Sequence, residues 1–131
     1  MYKIRTPRIA LAGLGLLVCG ALLFATLSSR KQELLVTATA YNSVPAQTDR
    51  KPNLGAWGDE IQPGMSVIAV SRDLVEAGLE RGTRVHVEGF DDEFVVMDRM
   101  HRKWSNKIDI YMGNDVKAAR EFGQRELLIS W

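Results

Sequence analysis

The chain has 131 residues, 46% hydrophobic and 25% charged, which leaves room for one ordinary globular domain and excludes disorder and collagen-like repeats. Beyond residue 27 it carries 14 basic against 16 acidic side chains, a balance that argues against a nucleic-acid binder, whose hold on phosphate depends on excess Lys and Arg. The single cysteine, Cys19, excludes an intramolecular disulfide and leaves no cysteine after residue 27 for zinc or for nucleophilic catalysis.

Residues 9–27, IALAGLGLLVCGALLFATL, form a 19-residue run without charge, preceded by Lys3, Arg5 and Arg8. As a helix this run reaches ~28 Å, close to the ~30 Å hydrocarbon thickness of a bilayer, so it predicts an N-terminal transmembrane helix. A cleaved signal peptide is the competing reading, although its apolar region usually spans only ~7–15 residues. The exit, TLSSRKQE, also lacks a clean A-x-A site. Lipoprotein processing at Cys19 is a third reading, opposed by Val18 where a small residue is expected. The heavier basic flank before the run favours an N-terminus in the cytoplasm and a C-terminal domain outside it, in the cell envelope. Residues 28–33 read as a polar tether, dividing the chain into an anchor or signal segment, 1–33, and a domain, 34–131.

Within that domain, 34–41 (LLVTATAY) is β-branched and alternating and reads as a strand. Residues 43–64 hold Pro45, Pro52 and Pro63 with three glycines and read as a long irregular loop, a kind that is often functional in small domains. A buried strand follows at 66–71, then a short helix at 72–79 with Ser71 or Asp73 as cap and Gly78 as its end. Strands at 83–89, with Arg84 and His86 outward and Val85 and Val87 inward, and at 93–98 flank a turn. A basic loop at 99–106, a strand at 107–112, a helix at 114–123 capped by Asn114 and ended by Gly123, and a closing strand at 126–131 complete the pattern. Six short strands and two short helices in so small a domain predict a closed β-barrel, because closure removes exposed strand edges.

Two acids stand against the local pattern. Asp98 follows FVVM at a strand end, either as part of a site or as a cap for the turn beyond. Asp109 lies between Ile108 and Ile110 and therefore faces the opposite side of its strand, into water or into a groove. Two neighbouring carboxylates whose proton affinities separate supply the arrangement that glycosidic bond cleavage requires. His86 and His101 lack the spacing and third partner of a metal site, and no metal or other cofactor is expected.

The segments TATAYN (37–42), IAVSRDL (68–74), VVMDRM (95–100), KIDIYMG (107–113) and AAREFG (118–123), in that order, resemble the 3D (three-aspartate) domain family over all of 34–131. Asp98 and Asp109 keep that family's interval of eleven between a strand-end Asp and an Asp in an I-D-[IL]-[YF] strand. The resemblance implies a six-stranded double-psi β-barrel, similar to the catalytic barrel of membrane-bound lytic transglycosylase A. It implies an acid/base role for Asp109, a positioning or polarising role for Asp98, and a cleft wall at Thr39 and Tyr41. Ser71 stands where the family usually has its first Asp, with Asp73 two residues on, and RMHRKW replaces the usual Gly-rich turn after Asp98. Arg99, His101, Arg102 and Lys103 with Trp104 are then read either as a solvated turn or as contacts to the sugars and carboxylates of peptidoglycan. Trp57 either stacks on a sugar or packs over the barrel mouth. The implied function is cleavage of the β-1,4 bond between N-acetylmuramic acid and N-acetylglucosamine in peptidoglycan. Ordinary hydrolysis of that bond and a non-catalytic cell-wall glycan-binding module are the alternatives.

Overall fold

A computed structural model describes residues 30–43 and 53–131. The apolar run 9–27, with Cys19, lies outside the described residues, as do residues 28 and 29 of the tether and 44–52 of the long loop. Among the described residues no helix is long and apolar enough to cross a membrane. Lys31–Trp131 is one compact unit. Its elements are β1 (Glu33–Tyr41), β2 (Val67–Val70), α1 (Arg72–Glu76), β3 (Arg84–Val87), β4 (Phe94–Arg99), β5 (Lys107–Tyr111), α2 (Val116–Phe122) and β6 (Arg125–Ser130).

The six strands close in the order β1-β5-β2-β4-β3-β6. The pairs β1–β5 and β2–β4 are parallel; the other four are antiparallel. Parallel partners require long crossovers: the long loop lies within the one from β1 to β5, and α1 within the one from β2 to β4. Alternation along each strand sends one set of side chains inward. Val36, Ala38, Ile68, Val70, Val85, Val87, Val96, Ile108, Ile110 and Ile129 fill the barrel, each 1% exposed or less. Leu74, Leu79 and Phe122 from the helical connections join this core. Branched and aliphatic side chains of this kind pack an interior too narrow for a channel.

Both helix ends are set by local chemistry, with two departures from the sequence expectation. The end of α1 is a Schellman turn at Gly78 (φ +110°), where Leu79 N–H donates to Leu74 O at 2.9 Å and Gly78 N–H to Val75 O at 3.1 Å. Ser71 holds the N-cap position of α1 as expected, but its side chain makes no cap hydrogen bond, because it is engaged elsewhere, as is that of Asp73. The cap of α2 is Asp115, not Asn114: the Asp115 carboxylate accepts from Ala118 N–H at 2.9 Å. The described part of the long loop is not wholly irregular. Residues 53–61 fold back as a small hairpin, bridged at Leu54–Glu60 and closed by Ile61 N–H donating to Asn53 O at 2.7 Å.

Candidate functional site

The residues that face away from the barrel core build the site. Register places Thr39 beside Asp109, Asp109 beside Ala69, and Ala69 beside Asp98. These four form one row across β1, β5, β2 and β4 on the outer surface. Strand spacing of about 4.8 Å sets the two acidic strands about 10 Å apart, with only a methyl group rising between them.

Asp98 reaches this row through a β-bulge. Val67 pairs with Val95 and Ile68 with Val96, but Ala69 then pairs with Asp98, so Met97 is the extra residue. Regular alternation after Phe94 and Val96 would carry Asp98 into the core. The bulge turns it outward instead, where Met97 also packs, against the outer layer of Ile61, Val67, Tyr111 and Tyr41.

The hairpin at 53–61 roofs one end of the row. It sits so close to β4 that a side chain at Gly55 would place its Cβ 2.4 Å from Met97 O. The next residue, Ala56, donates its N–H to Asp98 Oδ1 at 2.7 Å; Arg99 N–H donates to the same oxygen at 2.8 Å. Tyr41 Oη donates to Asp98 Oδ2 at 3.4 Å. Asp59 holds the hairpin from outside through a two-pronged pair with Arg81, whose Nε lies 2.6 Å from Asp59 Oδ2.

The two acids thus live in different surroundings. Asp98 is met by three donors. Asp109 is half-buried and accepts one hydrogen bond, from Thr39 Oγ1 at 3.0 Å. Burial pushes the Asp109 carboxyl up to about 6, and the Asp98 charge adds to the rise, while the Thr39 hydroxyl and the Lys107 ammonium oppose it. Tyr41 is held far above the ordinary phenol range, first by burial and then by the charges of Asp98 and Asp109. It therefore stays a hydrogen-bond donor at any physiological pH. The site is a groove lined by Tyr41, Ala69, Asp98, Arg99, Met100, His101, Trp104 and Asp109.

Of the residues singled out in the sequence, Thr39, Tyr41, Asp98, Arg99, Trp104 and Asp109 come together at this groove. Trp57 packs against the barrel core, with the Arg99 guanidinium 5.8 Å from its ring centre. Arg102 is exposed and outside the lining. Ser71 is fully buried, and its hydroxyl accepts from Lys107 N–H at 3.0 Å, so it ties β2 to β5 beneath the groove. Asp73 lies apart from both acids; it accepts from Asn106 N–H at 2.8 Å and from Ser105 Oγ at 3.2 Å, anchoring the β4–β5 loop. Sequence reasoning does not single out Ala69, Met100 or Lys107. Ala69 and Met100 carry no chemistry that a sequence pattern would flag. Lys107 carries one signal, its place two residues before Asp109 on the same strand face.

No protein-family model matches this chain, and no curated protein matches it. The three-aspartate resemblance therefore rests on the motifs alone. Among solved structures the chain is similar to the crystal structure of an apo expansin from Clavibacter michiganensis, with 18% identity and a TM-score of 0.52. The match covers 75% of this chain and 49% of that one, so the chain spans about half the length of the expansin structure. At this identity the likeness shows the barrel fold.

Proposed function

We propose that the groove over Asp98 and Asp109 binds a strand of cell-wall polysaccharide, with the barrel tethered outside the cytoplasm through residues 9–27. One observation carries the reading: an open groove whose floor presents two carboxylates and the Thr39 hydroxyl in one row, with the Tyr41 phenol beside it and Trp104 at its flank. Sugar recognition needs this combination, with polar groups aimed at hydroxyls beside aromatic surface. The barrel likeness to an expansin and the three-aspartate motifs point to the same class of ligand, and the latter point to peptidoglycan.

A second reading, cleavage of the muramyl β-1,4 bond, is favoured by the surroundings of Asp109. A carboxyl raised to about 6 is partly protonated near neutral pH and is suited to general acid catalysis. In that reaction the Asp109 acid gives its proton to the departing O4 of N-acetylglucosamine as the C1–O4 bond breaks. The resulting carboxylate takes the proton of the muramyl 6-hydroxyl, whose oxygen closes on C1. The product is a 1,6-anhydro ring, no water is consumed, and Asp109 ends protonated again.

Co-sedimentation of the full-length protein with purified sacculi, followed by mass analysis of the released muropeptides, tests both readings. Sedimentation without products supports the binding module. Under that reading Asp109→Asn should weaken binding by about tenfold or less, since one polar contact is worth ~1 kcal/mol. Anhydro ends that vanish in Asp109→Asn establish cleavage, whereas reducing ends establish hydrolysis. Neither sedimentation nor products would overturn the proposal.

A further inference from the structure

Lys107 is a charge that the row of groove residues leaves unexplained. It is 8% exposed, on the same outer face of β5 as Asp109, and its ammonium lies 3.7 Å from the ring centre of Trp104. Among the described residues that ammonium forms no ion pair. A buried ammonium without a carboxylate partner is costly, and a methionine would fill the same space without that cost. Trp104 compensates only in part, through the negative face of its ring. Lys107 therefore stands beside two groove-lining side chains, Trp104 and Asp109; it acts on the Asp109 charge, yet among the described residues no carboxylate comes within ion-pair distance of its ammonium.

The rest of this end of the groove has the same sign. Arg99 lines it, and the Lys103 ammonium lies 4.9 Å from the Trp104 ring centre. The groove is thus divided, with two carboxylates at its floor and a basic end where β4 runs into the loop before β5. An anionic group on a ligand is repelled by the floor and attracted to the basic end, which would fix the ligand's direction along the groove.

We propose that the basic end is a carboxylate subsite anchored by Lys107, so that the groove takes a polysaccharide whose sugars carry an acidic substituent in preference to a neutral one. The proposal rests on the glycan-binding reading above and adds the substrate class. A neutral polymer leaves the Lys107 ammonium unpaired. A carboxylated one supplies the missing partner, and a charge-assisted hydrogen bond made out of water is among the stronger single contacts available.

The test uses the full-length chain and one polymer in two forms. Peptidoglycan glycan strands are stripped of their stem peptides by an amidase, which frees the lactyl carboxylates. Half of the material is then coupled to methylamine, which neutralises them. Titration calorimetry should show the carboxylated strand binding at least tenfold more tightly. Lys107→Met should bring the two affinities together, and Lys107→Arg should keep them apart, with circular dichroism melts confirming that each variant is folded. Should Lys107→Met not fold, the double variant Arg99→Gln, Lys103→Gln carries the same expectation of a narrowed preference. Equal binding of the two strands by the parent protein, or a preference that survives in Lys107→Met, overturns the subsite while leaving glycan binding intact. Binding of neither strand overturns the glycan reading and the subsite with it.

Discussion

Asp109 carries most of the chemistry at the scale of single residues, and its surroundings tie function to stability. Its carboxyl is raised from 3.8 in a free chain to about 6, because burial disfavours the charged form. The folded state therefore holds its proton more tightly than the unfolded state does. Stability is unaffected by this group below about pH 4, falls as pH rises through the window from about 4 to about 6, and stays lower above it. Asp109→Asn removes the ionisation while still accepting from Thr39. At pH 7 the variant should be more stable than the parent by on the order of 2–3 kcal/mol, since each tenfold change in proton affinity between the folded and unfolded chain corresponds to about 1.4 kcal/mol. At pH 4 the two should nearly coincide. Urea denaturation at the two pH values checks this, and a variant that is less stable at pH 7 would show that Asp109 is not the raised carboxyl. A gain in stability on removing a functional group is the usual mark of a site selected for chemistry over stability. Asp98 lines the same groove but accepts from three donors, the Ala56 and Arg99 N–H groups and the Tyr41 hydroxyl. One groove thus holds two acids in two settings, the condition under which carboxylates divide their roles.

The decisive elements are a bulge and a hairpin, and each depends on the other. The bulge at Met97 swings Asp98 to the outer face, and the 53–61 hairpin holds it there through Ala56 N–H. That hydrogen bond requires the hairpin backbone to lie directly on β4, and Gly55 permits the approach because it has no Cβ. Its φ is not in the left-handed region, so space and not backbone conformation is what glycine provides here. In Gly55→Ala the new methyl would stand 2.4 Å from Met97 O, a backbone atom that cannot swing aside. The hairpin should lift from β4 at a cost on the order of 1–3 kcal/mol, the range of an overpacked contact. Hydrogen exchange reports the event directly. The Ala56 amide should lose its protection while core amides such as Ile108 and Ile110 keep theirs. An Ala56 amide that remains protected would mean the loop is held by contacts elsewhere, with the Arg81–Asp59 pair the first candidate.

For the whole molecule, closure is what makes a domain of roughly 100 residues sufficient. β6 pairs with β1 on one side and β3 on the other, and the seam continues past its end. Gln32 and Trp131 exchange backbone hydrogen bonds at 2.9 and 3.0 Å. Every strand consequently has two neighbours, and no edge is left to template aggregation. The fragment 31–131 is expected to fold alone and melt in one cooperative step, with a midpoint that a chelator does not move. A fragment starting at residue 34 loses the Gln32–Trp131 exchange and the Glu33–Ser130 pair and should melt several degrees lower. Thermal melts of the two fragments with and without chelator decide this. A chelator-sensitive melt would expose a structural metal, and equal midpoints would show that residues before 34 contribute nothing to the seam.

Much of the fold is legible in the sequence because the signals are local. Period-two alternation marks β1, β3 and β5; Gly78 and Gly123 mark the ends of the helices; and the break of pattern at Asp109 places its carboxyl on the outer face. The composition of residues 43–64 likewise announces a long connection. What only tertiary structure decides is register. Thr39 and Asp109 are 70 residues apart and meet because β1 and β5 pair in parallel, an alignment no local rule specifies. Asp98 shows the limit most sharply. Alternation along 94–98 would turn it into the core, and a single extra residue, absorbed between strands distant in sequence, turns it out. Ser71 and Asp73 show the same limit in reverse. Their place near the family's usual first acid suggests chemistry, but one is buried as a strand tie and the other anchors a loop. Lys107 reads as the polar half of an alternating strand until the fold covers it with Trp104. Local sequence sets which way a side chain points from its own backbone. What it meets there is set by the register and crossovers of segments that touch only after the barrel closes.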